Sequence, residues 1–143
     1  MKKISYCVFI LLLLATSNYF AQTDKQINIY NALKEIIQLS KDKQYEKASL
    51  RIAYNGKDTN RNLKTPFDPA KSDELGEVKR ICKKISALTD LSTNYKIGKV
   101  ISKKDGNTEF YLVSVSFISG TQELRTNFEL IETADGFLLT TMK

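Results

Sequence analysis

The stretch "YLVSVSFISGTQELRTNFELIETADGFLLT", Tyr111 to Thr140, constrains this chain more than any other part of it. Apolar and polar residues alternate along it with the period of two that turns one side of a β-strand to a core and the other to solvent. Turn residues interrupt the alternation at Ser119-Gly120 and at Asp135-Gly136. A two-residue turn at Ser119-Gly120 sets Val115 opposite Leu124, Val113 opposite Thr126 and Tyr111 opposite Phe128, which gathers the apolar side chains on one side. A turn at Asp135-Gly136 places Phe137 by Ala134 and Leu139 by Glu132. An earlier strand, Tyr95 to Ser102, joins through "KKDGN", and a bulged loop at Gly106 brings Tyr95, Ile97 and Ile101 to the Tyr111 face. The expectation is a four-stranded antiparallel meander.

The preceding residues change period. From Asp24 to about Leu39, Ile29, Leu33, Ile36 and Ile37 recur at spacings of three and four, one face of a helix. A second short helix runs through Tyr45, Ala48 and Ile52 and ends at Asn55-Gly56. The polar segment from Gly56 to Lys71, "GKDTNRNLKTPFDPAK", holds both prolines and reads as a long loop. Ser72 and Asp73 supply an N-cap and a first-turn acid for a third helix. Leu75, Val78, Ile81, Cys82, Ile85 and Leu88 mark its buried face, with Lys79, Arg80, Lys83 and Lys84 on the solvated side. Helices first and strands afterwards indicate an α+β fold, three N-terminal helices packed on one face of a curved sheet.

Three stretches carry a resemblance: "KDKQYEKAS" at the helix-helix junction, "YKIGKVISKKDGNTEFYLVSVSFISG" in the first hairpin, and the ending "ELIETADGFLLTTM". In this order the chain resembles the cystatin-like cone of the NTF2-like superfamily, and more narrowly the small exported bacterial domains of unknown function built that way. The resemblance implies a cone between helices and curved sheet. In some members that cone is a catalytic pocket, using a tyrosine with carboxylates or a histidine.

The beginning, "MKKISYCVFILLLLATSNYFAQ", reads as a secretory signal peptide: Lys2 and Lys3, an apolar run from Val8 to Ala15, then polar residues and Ala21 before Gln22. An apolar core of about ten residues falls short of the roughly twenty that span a bilayer as a helix. Tyr19 is large for its place before the cut, and the rival reading is an uncleaved anchor. Cys7 lies ahead of the apolar run, which excludes lipidation at a mature N-terminal cysteine. Cleavage after Ala21 leaves one domain, residues 22–143, exported to the periplasm or the medium. It removes two of the 22 basic residues, leaving 20 against 16 acidic ones, a net +4. Basic residues are spread out with acids between them, unlike the basic stripe of a nucleic-acid binder. Cys82, then alone, cannot form an internal disulfide and reads as a small buried side chain.

The chemistry is sparse. The chain has no histidine, which removes the commonest general base, most zinc sites and the Ser-His and Cys-His pairs. No phosphate-cradling glycine loop and no calcium loop is present. The inner sheet face taken from the register (Tyr111, Val113, Val115, Leu124, Thr126, Phe128) holds no carboxylate, and Glu123 and Glu129 fall on the opposite face. No catalytic residue, metal or cofactor is therefore expected. An enzyme of the NTF2-like type, with a tyrosine such as Tyr30 in the cone, is the alternative that the resemblance implies. The expected activity is binding, of an unidentified small ligand or an envelope protein. Tyr30, Tyr54, Tyr95, Tyr111, Val113, Thr126 and Phe128 are the pocket candidates, weighed against a fully packed core. The outer sheet face, with Phe110, Leu112, Ile118 and Ile131, is the candidate interface for a partner or a homodimer. Neither nucleic acid nor a transmembrane helix in the mature chain is expected.

Overall fold

The structure is a computed structural model that describes residues 23–143; the expected signal peptide and the expected cut after Ala21 lie outside the described residues. Helix α1 covers residues 23–41. It is followed by α2 (Tyr45–Ser49), α3 (Ser72–Asp90), β1 (Asn94–Asp105), β2 (Thr108–Ser119), β3 (Gln122–Thr133) and β4 (Gly136–Met142). The strands form one antiparallel sheet in the order β1-β2-β3-β4, an α+β meander as the two periodicities predict.

On α1 the stripe Ile29, Leu33, Ile36 and Ile37 is buried. The second helix is shorter than expected, and Ile52 leaves it. The Ala53 N–H donates to the Leu139 carbonyl at 2.8 Å, and the Leu139 N–H to the Arg51 carbonyl at 2.9 Å. Residues 51–53 thus satisfy the free edge of β4, an edge that would otherwise present unpaired backbone groups. The polar segment after them is also no free loop. Tyr54 N–H donates to Thr65, Leu63 N–H to Tyr54 and Phe67 N–H to Ile52, and Phe67 is buried. Helix α3 starts from Lys71, with no side-chain cap from Ser72. Its buried residues are Glu74, Val78, Cys82 and Ile85, and Lys79, Arg80, Lys83 and Lys84 are exposed.

The sheet corrects three details of register. In the second hairpin Val115 faces Thr126, Val113 faces Phe128 and Tyr111 faces Leu130, because Ser119 pairs with Gln122 and the turn is Gly120-Thr121. Gly120 has φ +60, which a side chain would resist. The slip is two residues, so every side chain keeps its face. The third hairpin slips likewise: Glu132 pairs with Phe137, Leu130 with Leu139, and the turn is Ala134-Asp135. In the first hairpin Asp105 pairs with Thr108, so Gly106 sits in a two-residue turn and the irregularity lies instead between Ile97 and Val100. An extra residue reverses the alternation beyond it. Tyr95 and Ile97 therefore face inward as expected, Val100 takes the next inward place, and Ile101 is 66% exposed on the other side.

Gly98 makes that bulge affordable in space: a Cβ there would lie 2.9 Å from the Ser114 carbonyl oxygen on β2. Gly98→Ala is expected to cost about 1–2 kcal/mol, the range of a forced local backbone shift. Gly76→Ala, in open space on α3, should instead add about 0.5–1 kcal/mol. Urea midpoints of the two variants measure the contrast, and equal shifts would contradict it.

The core lies between the inner sheet face and the helices. Tyr111, Val113, Val115 and Phe117 of β2, Phe128 and Leu130 of β3, and Phe137 and Leu139 of β4 join the α1 and α3 stripes in one cluster. A second, small cluster sits on the outer face, where Ala53 covers Ile131 and Leu138, with Leu63 and Phe110 against them.

Candidate functional site

The seven pocket candidates do not share one cavity. Val113 and Phe128 are 0% exposed within the main cluster, and Tyr111 and Thr126 are buried. Where an enclosed void was one expectation, apolar side chains fill the space between the helices and the sheet. Tyr54 packs edge-on against Phe67, ring centroids 5.5 Å apart, with the Arg61 guanidinium 4.3 Å from its ring. Tyr30 and Tyr95 do come together. With Lys34, Asn94 and Ile97 they line a solvent-open cleft of about 530 Å³ between α1 and the start of β1, within the size range of small-molecule sites.

Local structure explains the convergence. Tyr30 and Lys34 are four residues apart, one turn of α1, and so lie on one face. Tyr95 and Ile97 alternate with the outward Lys96, ahead of the bulge. The Tyr95 ring is backed by Phe117, centroids 6.1 Å apart and tilted by 38°. The Asn94 carboxamide oxygen accepts the Tyr95 N–H at 2.8 Å, which leaves the amide nitrogen pointing elsewhere. Among the described residues, the hydroxyls of Tyr30 and Tyr95 and the Lys34 ammonium have no hydrogen-bond or ion-pair partner. Nothing in the sequence singled out Lys34, one lysine on a polar helix face.

A second polar group sits farther along the same seam. The Tyr111 hydroxyl donates to Glu109 Oε2 at 2.7 Å and accepts from Lys25 Nζ at 3.1 Å; Lys25 also pairs with Glu132 at 2.8 Å. Glu109 shares the face of Tyr111, and Glu132 that of Leu130, so the inner face does carry carboxylates at its end. Strand parity could have found both; the sequence-derived face was cut short at Tyr111 and Phe128. Two quantities bear on the chemistry open to this cluster. The cleft beside these groups holds only about 190 Å³, against about 300 Å³ or more for ligand sites. Hydrogen bonding to Glu132 and then to Tyr111 raises the Lys25 pKa, while burial, with Glu109, raises that of Tyr111. Both shifts move away from the near-neutral range suited to proton transfer. The cluster is a polar strap between α1 and the sheet.

The most buried carboxylate, Glu74, was not expected. Both its oxygens bind Arg61, at 2.7 and 3.0 Å, and it accepts the Asp68 N–H at 2.7 Å. Lys71 lies 3.2 Å away. The Arg61 pair, against the cost of burial, holds the Glu74 pKa down to about 2. Arg61 also donates to the Pro66 carbonyl at 3.2 Å. The cluster ties the 56–71 segment to α3, with every charged group satisfied. Glu74 stands four residues before Val78, on the apolar stripe itself, which was its signal. Cys82 is wholly buried, and burial pushes its thiol up, so it is no nucleophile.

The outer face is narrower than the sequence suggests. Ile131 is buried beneath Ala53 and leaves the candidate interface, and Phe110 packs half-buried against the same small cluster. Leu112 and Ile118 remain half-exposed. Beside them Arg125 pairs with Glu123 at 3.0 Å and Glu129 accepts from the Thr140 hydroxyl at 3.0 Å. Among the described residues no helix is long and apolar enough to cross a membrane, and no group of three or more metal-ligating side chains forms a site.

No protein-family model and no curated protein matches the sequence. Among solved structures the chain is similar to the Kfla4162 protein from Kribbella flavida, with 15% identity, a TM-score of 0.41, and coverage of 86% of this chain and 90% of that one.

Proposed function

We propose that this chain is an exported, non-catalytic binding module of cystatin-like architecture, and that its ligand is a small molecule held in the open cleft between α1 and β1. The observation that carries the reading is the meeting of Tyr30, Lys34 and Tyr95 on one cleft of about 530 Å³. Their polar ends have no protein partner among the described residues. Polar groups with no structural task, set around an aromatic platform, are what a ligand site needs and a packing surface does not. The filled cone argues against the alternative of a ligand or a reaction inside it. Support for export comes from the leader sequence, and support for the cone-shaped architecture from three helices preceding a four-stranded meander.

Amide chemical shifts test where the ligand sits. When a small-molecule extract of the producing culture is added to the labelled protein, residues 30–34 and 94–97 are expected to shift. Val113, Thr126 and Phe128 should stay in place, and the Tyr30→Ser/Tyr95→Ser variant should not respond. Shifts centred on Val113 and Phe128 would return the site to the cone.

A further inference from the structure

Resting on that reading, we infer that the cleft between α1 and β1 takes an acidic sugar, a ring with several hydroxyls and one carboxylate of the uronic acid class. Among the described residues, Lys34 is the only charged one in the lining, and no carboxylate shares the cleft with it. Its neighbours one helical turn away on α1 are Tyr30, Asn31, Ile37 and Gln38, none of them acidic. The adjacent Glu35 is committed to Arg51 at 2.9 Å. The cleft therefore presents one uncompensated positive charge, which selects an anion. The cleft lined by Lys43, Lys47 and Lys79 differs in containing Glu46 as well.

The remaining groups describe the rest of the ligand. Tyr95, whose ring packs against Phe117, gives the cleft an aromatic side chain, a partner for a flat apolar surface such as the C–H face of a pyranose. The phenol hydroxyls of Tyr30 and Tyr95 bring hydrogen-bonding groups to the same cleft, which Asn94 also lines. An aromatic acid would use the platform and the lysine but make no use of those groups. A polyhydroxylated ring uses all of them. An open cleft also admits a unit that continues into a chain on either side.

Calorimetry with trigalacturonate as probe and maltotriose as its neutral counterpart tests the inference. Wild-type protein is expected to prefer trigalacturonate by about tenfold, the scale of one charge-assisted hydrogen bond. Lys34→Met should abolish the preference without changing the fold, since Lys34 is exposed. Tyr95→Ser should lose both sugars. Equal binding of the two trisaccharides, or a preference that survives Lys34→Met, overturns the acidic-sugar assignment. If protein from its own host carries a ligand that Tyr30→Ser/Tyr95→Ser loses but trigalacturonate does not displace, this inference falls and the cleft stands. If the double variant keeps that ligand, both fall.

Discussion

Val113→Trp is expected to destabilise the protein by about 3 kcal/mol or more, at or beyond the upper end for overpacking a filled core. Val113 is 0% exposed, with Val100 across from it on β1 and Phe128 on β3. Both neighbours belong to or pack on the main cluster, so an indole has no room without moving the sheet or α1. With a ligand-sized void between helices and sheet the same substitution would fill space and cost little. Leu112→Trp, one residue away on the half-exposed outer face, controls for the chemistry of the substitution and should stay within about 0.5 kcal/mol of wild type. Urea unfolding at unchanged slope gives both numbers. A Val113→Trp protein as stable as wild type would contradict the filled core.

The second large effect belongs to Glu74. Its pKa is about 2 in the folded protein against an ordinary 4.5, so its charged form contributes about 3 kcal/mol at neutral pH. The folded pKa lies below the unfolded one. That contribution is therefore complete above about pH 5 and disappears as the pH falls toward 2. Glu74→Gln keeps the shape and removes the charge, leaving Arg61 with a neutral partner. We expect a loss of about 3 kcal/mol at pH 7, in line with breaking one side of a buried pair. Wild type and variant should converge near pH 2. Stability measured from pH 7 to pH 2 decides the matter, and parallel curves would show that the Arg61–Glu74 pair is not the source of the difference.

The two cases also show what a sequence makes legible. Ile29, Leu33, Ile36 and Ile37 announce α1 because a helix of period 3.6 must bury one stripe, and the Tyr111–Thr140 alternation announces the sheet by the same logic. Period two fixes which face a residue takes but leaves pairings two residues apart equivalent. The turn resolves them, and Gly120 opens its turn at φ +60 where Ser119 had been assigned. The bulge at Gly98 is a tertiary feature, set by the approach of Ser114, and its effect on Ile101 could not be read locally. Ile52 left its helix because the edge of β4 competes for the same backbone groups. Among the candidate site residues, Tyr30 and Tyr95 were named with five others for one pocket between helices and sheet, and the structure sets these two on an open cleft apart from the rest. Lys34 was not named, because what sets it apart is the lack of acids beside it in the cleft among the described residues, a property of the folded surface.

Native mass spectrometry of the protein purified from its own host, beside the Tyr30→Ser/Tyr95→Ser variant prepared in the same way, tests the central claim most directly. The account predicts a non-protein mass on the wild type that is missing from the double variant, with both chains folded. A wild-type protein with nothing bound, or a ligand that remains on the double variant, would contradict it.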